Sequence, residues 1–528
     1  MADAPVDPGA PGAPAASETR REGALALSNG IKLAASLLLT WGVALIITFK
    51  LPKYLGPEQF GWYRYGFDYA LSAAVFLGFG VDTYIQREIP VRPKHASDFF
   101  GGLLAVRGLM LIPLFLYGWW HLGGKLPEER LAAALFGVTQ IFIVMNYTFQ
   151  QTLQAASKVD GLAVSNVVTK ILWGGGLFTA IALKVPFWVL PLPMLASEIL
   201  KALFLFKVTR EAIDLKVRLD FPETKQVLKV SAAFFVANAA VSLGSSIDLV
   251  ILRELVGCEE VKKAAAEGVA MASDSRCLEV GWYGAARETA RLSALMSPVL
   301  SGVLVPMMSR AKHRSEEELF KIVRRGIEGV NVISIPLTLM LALGAEFFVR
   351  LVFKQEFMPT AVSLSWLAPT FIFAYQNVIL WFALMLMGRS WTITIISIAG
   401  LALLPAFIFP IVHFTADMIP GGGGRGMGAA MAMSLRELVI VVVFFVVLGK
   451  RSVDQRAILS TVKSLGICCV VVALHVALVG LGPLRLLLDG LAYVVLMLAI
   501  GVIRVGDVKN VLRLIKDRKK IQAEAAGS

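Results

Sequence analysis

Six basic residues stand inside stretches that are otherwise apolar: Arg107, Lys170, Lys201, Arg287, Arg291 and Arg436. A cation at the centre of a lipid bilayer costs about 2.5 to 3.5 kcal/mol on insertion scales, so the deep ones must face protein or water. Guanidinium groups take phosphate or carboxylate through paired, charge-assisted hydrogen bonds, so a cavity lined by them suits a polar anion. Arg107, Lys170, Arg287, Arg291 and Arg436 are the candidates for such a cavity. Lys201, close to the inner end of its segment, is expected to snorkel towards the headgroups. Arg287 and Arg291 lie one turn apart on one helix face, where they either line a cavity or pair with Glu288 or Glu437.

The embedded acids are Asp68, Glu198, Asp248, Glu288, Glu346 and Glu437. Asp68, Asp248 and Glu437 are the candidates for ion coupling or charge pairing, and Asp248 is expected to neutralise an arginine of the following helix. Glu346 and Arg350, at i and i+4, suffice for each other. Asn146, Gln150, Gln151 and Gln154 put amides on one face of a helix, which must be buried in a bundle or wetted by a cavity.

Catalytic constellations are missing from the sequence. It has no phosphate-binding glycine loop and no spaced Cys/His metal ligands, and its five histidines are scattered, with only His475 deep in an apolar segment. No metal or cofactor is expected, and a membrane glycosyltransferase or ligase, which needs acids on a large outer loop, is the minority expectation. The one long loop, between Cys258 and Cys277, carries Glu259, Glu260, Glu267 and Asp274, a set that suits a solvated face.

The elements that must position these residues are membrane spans. Of 528 residues 57% are hydrophobic and 17% charged, with a mean hydropathy of +0.70, too apolar for a soluble chain of this length. Fourteen candidate helices follow from runs of the roughly 20 apolar residues that a crossing needs: 28–50, 65–85, 99–120, 131–154, 162–183, 186–207, 228–254, 281–308, 328–353, 363–388, 391–415, 427–449, 458–480 and 482–504. The expected class is an all-α polytopic membrane protein of two pseudo-symmetric six-helix lobes, 28–207 and 228–449, plus two helices over 450–504. A tail over 1–27, rich in Ala, Pro and Gly at its start, is expected to be disordered. A cytoplasmic linker spans 208–227, and a basic tail spans 505–528.

The net charge of +13 is spread over helix ends in place of one stripe, which argues for topology signals and against nucleic acid. Runs such as Lys207, Arg210, Lys216, Arg218 and Lys225 fall on one side of the membrane with the C-terminal cluster Lys509 to Lys520, while loops on the other side mostly carry single cations. Both termini are therefore expected in the cytoplasm.

An internal repeat organises the chain. Leu55-Gly56 followed by Gly61-Trp62-Tyr63 recurs as Val256-Gly257 followed by Gly281-Trp282-Tyr283, the two Gly-Trp-Tyr copies standing 220 residues apart. Parallel repeats of this kind place a cavity between lobes near the midplane. The second copy carries an outer insertion over 257–280, bracketed by Cys258 and Cys277. In an oxidising periplasm these two would pair, restraining the loop by about 3 kcal/mol on the chain-entropy model. Cys468 and Cys469 sit in an apolar run and are expected to pack.

Leu55-Gly56-Pro57-Glu58-Gln59-Phe60-Gly61-Trp62-Tyr63, with Leu77-Gly78-Phe79-Gly80-Val81-Asp82-Thr83 and Gln86-Arg87-Glu88, resembles the signature of bacterial polysaccharide biosynthesis proteins. These are the O-antigen flippases of the Wzx type, within the multidrug, oligosaccharidyl-lipid and polysaccharide exporter superfamily. Val280 to Ala286, with Val305-Pro306 and Ser309-Arg310, resembles the matching segment of the second lobe. The resemblance implies an inner-membrane flippase for undecaprenyl-pyrophosphate-linked oligosaccharide, working by alternating access through a cationic cavity. Its partners would be that anionic lipid-linked glycan and the polysaccharide polymerase machinery, with the chain acting as a monomer. A drug exporter of the same fold is the alternative, and the absence of any Asp or Glu from Ser28 to Lys50 argues against the cation-coupled exporters. The Cys-bracketed insertion departs from the family pattern, and Lys32 alone does not make the cluster of first-helix arginines of the lipid II flippase branch.

Overall fold

The computed structural model describes residues 16–90, 92–156, 160–258, 275–291 and 297–501. The extreme N-terminal tail, the centre of the insertion with its four acids, and the basic C-terminal cluster lie outside the described residues. Within them the chain is helical, without strands: α1 Ala16–Ala74, α2 Val81–Glu88, α3 Ala96–Leu122, α4 Pro127–Ala155, α5 Asp160–Ala182, α6 Leu192–Ile213, α7 Phe221–Gly244, α8 Ile247–Val256 and α9 Arg276–Arg291. There follow α10 Ser297–Arg314, α11 Glu316–Leu343, α12 Ala345–Val352, α13 Thr360–Leu367, α14 Thr370–Leu386, α15 Ser390–Thr415, α16 Gly424–Leu448, α17 Gln455–Ala477 and α18 Leu484–Ala499.

Among the described residues nine helical segments are long and apolar enough to cross a membrane, or ten if the bent α7 counts as one span. At most 39% of the apolar window of each of the nine is buried inside the protein, and Phe115, Trp119 and Trp120 of α3 are about 70% exposed or more. Surfaces so apolar and so uncovered are solvated by lipid, and the protein is a multi-pass membrane protein.

Several boundaries differ from the sequence expectation for local reasons. Helix α1 begins at Ala16, so the segment 16–27, expected as part of the tail, is helical; beyond the Pro/Gly-rich start its Glu, Arg, Ala and Leu are strong helix formers. The stretch 51–64, expected as a loop, is helical too. The break in α1 is confined to Gly56, whose φ of 71° and ψ of 171° only glycine adopts easily, and Pro57 restarts the helix where a missing N–H costs nothing. In the second copy Gly257 ends α8 with φ 64°. Both repeats thus close their first helix with a left-handed glycine. Helix α6 runs on to Ile213 and α7 opens at Phe221, which shortens the linker to 214–220 and puts Lys201 near the middle of α6.

Packing divides the chain into two compact units. One comprises Met1–Ile47, Val81–Pro113 and Val138–Ser231; the other comprises Thr48–Gly80, Leu114–Gly137 and Ala232–Ser528. The first is built on α5 against α6, beside parts of α3, α4 and α7. In the second, α11, α14 and α16 enclose a core around Phe320, Val323, Ile379, Leu380 and Phe444, and α17 and α18 close on α11 through Ile335, Ile467, Val471 and Met497.

Candidate functional site

Within the larger unit the two Gly-Trp-Tyr copies cross each other. A Cβ on Gly61 would sit 2.9 Å from the backbone nitrogen of Gly281, and one on Gly281 would overlap the Pro57 carbonyl. The motif glycines are required because two helix backbones touch there. Trp282 donates its Nε1–H to the Glu356 carbonyl at 2.7 Å, Tyr283 donates its hydroxyl to Asp248, and Tyr63 meets Phe136 edge to face. Glu279, one turn before Tyr283 and fully buried, accepts from the amides of Gly423 and Gly426 at 2.8 and 2.9 Å, capping α16 from a distance.

One turn beyond this crossing lies a buried charge network. Arg287 bonds Asp68 at 2.6 Å and Asp248 at 2.8 Å. Arg64 reaches Asp68 at 3.2 Å and Glu288 at 2.7 Å, and Glu288 also takes Arg291 at 3.1 Å. Three guanidinium groups thus meet three carboxylates. The spacing of the motif copies makes Asp68 and Glu288 equivalent positions of the repeat. A second pair, Arg253 with Glu129, is bidentate at 3.1 Å and fully buried, and Lys125 bonds Glu254 at 2.8 Å beside it.

The arginines also serve the break between α7 and α8. Gly244 and Ser245 end a helix and leave carbonyls without intrahelical donors, which lipid cannot satisfy. Ser245 O accepts from Arg287 and from Arg291, the latter at 3.1 Å. Gly244 O accepts from Arg436 at 3.0 Å, and Arg436 further bonds the Gly400 carbonyl and Glu437, each at 2.9 Å. A Cβ on Gly244 would overlap the Arg436 guanidinium, so glycine makes room for it. Glu437 takes a second bond from Asn377 at 2.7 Å.

The remaining basic candidates lie in the smaller unit. Arg107 donates to Thr148 at 2.9 Å, and Thr148 in turn contacts Asp82. Lys170 and Lys201 stand on the wall of a polar cavity of about 180 Å³ between α5 and α6, with Gln150 of α4 at its edge. Lys201, expected at the headgroups, therefore shares a wall with Lys170. Asn146 holds Glu198 there at 2.8 Å, and Gln151 pairs with Gln86 at 2.6 Å. Cys258 and Cys277 are bonded to each other, with Cα atoms 5.1 Å apart. His475 is hydrogen-bonded to Asp489, and Glu346 to Arg350.

Sequence reasoning passed over Arg64, Glu129, Arg253, Glu254 and Glu279. Arg64 and Glu129 fall in segments expected as loops, where charge draws no notice. The usable signal was Arg64 one turn before Asp68, an i,i+4 pair bonded at 3.2 Å.

A family model described as polysaccharide biosynthesis protein matches residues 26–312, and a second of the same description matches 271–362. No curated protein matches the sequence. Among solved structures, "Lipid II flippase MurJ, inward closed conformation" is similar at 13% identity and a TM-score of 0.62, over 89% of this chain and 98% of that one. An inward-facing multidrug resistance MATE family transporter of the MOP superfamily is similar at 16% identity and a TM-score of 0.57, over 78% of this chain and 96% of that one. At such identities the likeness establishes the fold, one in which the similar proteins are a flippase and a transporter. The first family model covers more than half of the sequence, and with it the chain belongs to the polysaccharide biosynthesis protein family.

Proposed function

We propose that the protein is a flippase that carries an undecaprenyl-pyrophosphate-linked oligosaccharide, an O-antigen or other surface polysaccharide unit, from the cytoplasmic to the periplasmic leaflet by alternating access. The observation that carries this reading is the family match over residues 26–312 in a chain with a transporter's fold. A glycan headgroup cannot cross hydrocarbon unaided, because each hydroxyl and charge loses its hydration. A membrane protein that shields the head while the tail stays in lipid supplies the step such a biosynthesis needs. The positive-inside bias supports an inner-membrane location with both termini in the cytoplasm. In this reading Arg287, Arg291 and Arg436 hold the α7–α8 break, with Asp68, Asp248 and Glu437 as their counter-charges.

The test is reconstitution in vesicles with a lipid-linked oligosaccharide ending in galactose, half of it initially inside. With protein, an added galactosidase should reach nearly all of the lipid. Cleavage that stops at half, as in protein-free vesicles, while the same vesicles export a cationic dye, would replace the flippase by a drug exporter.

A further inference from the structure

The cavity between α5 and α6 has features of a built site that the fold alone does not require. Lys170 lies ten residues into α5, about 15 Å along the helix at about 1.5 Å per residue, which is half the depth of a core about 30 Å thick. Its ammonium sits over the Trp173 ring, 4.4 Å from the centroid. Neither Lys170 nor Lys201 makes a hydrogen bond or ion pair among the described residues, and the one carboxylate on the wall, Glu198, is already engaged by Asn146 at 2.8 Å. Two ammonium groups and one carboxylate leave a single uncompensated positive charge at mid-membrane depth, which a bound anion would neutralise. Two buried polar atoms beside it are also unpartnered: Trp173 Nε1, a donor, and Asn146 Oδ1, an acceptor. Gln150 and Asn166 add amides to the wall.

We infer that this cavity is a subsite for one carboxylate-bearing sugar of the carried glycan. The inference rests on the flippase reading and deepens it. A cavity of about 180 Å³ has room for a sugar ring. One uncompensated positive charge matches one carboxylate. A pyrophosphate would bring more negative charge than the wall offsets. The carboxylate takes the two ammonium groups, and the amides of Gln150 and Asn166 meet ring hydroxyls.

The experiment uses two synthetic polyprenyl-pyrophosphate glycans that differ only in one residue, a glucuronate or a glucose, each ending in galactose, in vesicles holding the full chain. Galactosidase access gives the flipping rate at subsaturating lipid. The acidic glycan is expected to cross about tenfold faster than the neutral one or more, the weight of a hydrogen-bonded charge. Lys170→Met and Lys201→Met should each bring that ratio close to one, and Lys170→Arg should keep most of it. Equal rates for the two glycans with wild-type protein would overturn the subsite while leaving the flippase standing. A preference that survives both methionine variants would place the acidic-sugar site elsewhere and overturn the inference. Movement of neither glycan would overturn the flippase reading itself, and the subsite with it.

Discussion

Arg287 is the residue whose loss should cost most. Asp68 and Asp248 are both fully buried, and Arg287 bridges them at 2.6 and 2.8 Å while also meeting the Ser245 carbonyl. In Arg287→Met, among the described residues, Asp68 keeps only Arg64, at the longer distance of 3.2 Å, and Asp248 keeps only the Tyr283 hydroxyl. Removing Arg287 leaves the buried Asp248 without a guanidinium partner and Asp68 with a weaker one, a loss of about 3 to 5 kcal/mol. The assay is folded fraction against denaturing detergent for the purified protein, followed by tryptophan fluorescence and by size exclusion. Asp68→Asn combined with Arg287→Met should recover part of the loss, because an amide needs no counter-charge, giving a coupling of about 1 to 3 kcal/mol in the cycle. Arg287→Met within about 1 kcal/mol of wild type, with no coupling to Asp68, would refute the claim that this network is dry and held by Arg287.

Four further outcomes follow from the same geometry. Gly281→Ala should abolish the monodisperse protein, since its Cβ overlaps the Pro57 carbonyl, whereas Gly108→Ala, with nothing within 4 Å, should be neutral in the same size-exclusion profile. Gly56→Ala should lower stability by about 1 to 2 kcal/mol in the detergent titration, because alanine is strained at a φ of 71°. Arg253→Met should destabilise by about 3 to 5 kcal/mol by removing the bidentate counter-charge of the buried Glu129, and Glu129→Gln should soften that loss. Alkylation of oxidised native protein with and without reductant should add mass at Cys258 and Cys277 only after reduction; two freely reactive thiols before it would show the pair to be open.

The membrane class and the repeat were legible because both rest on local pattern. Apolar runs mark the spans, and Gly-Trp-Tyr recurs where two backbones need glycine to touch. Breaks at Gly56 and Gly257 were written in the glycines themselves, but which side of Gly56 stays helical was not. Lys53, Glu58 and Arg64 make 51–64 polar enough to pass for a loop, and only packing within the larger unit pays for a helix there. Arg64 was missed for that reason. The partners of Arg436 were beyond sequence for a different one, since two of the three are backbone carbonyls, of Gly244 and Gly400, distant in the chain and invisible to residue type. Lys170 and Lys201 stood out as charges in apolar helices, but their common cavity depends on how α5 packs against α6, which residue type does not show.

The proposed flippase moves a finished lipid-linked glycan across the membrane. The direct measurement is made in cells depleted of the protein, with the glycan lipid radiolabelled and its sidedness read by a membrane-impermeant glycosidase on spheroplasts and on inverted vesicles. Complete lipid-linked oligosaccharide should accumulate and be cleaved only in inverted vesicles. Accumulation that is cleaved from the periplasmic face, or a block before the lipid-linked unit is complete, would contradict the flippase reading.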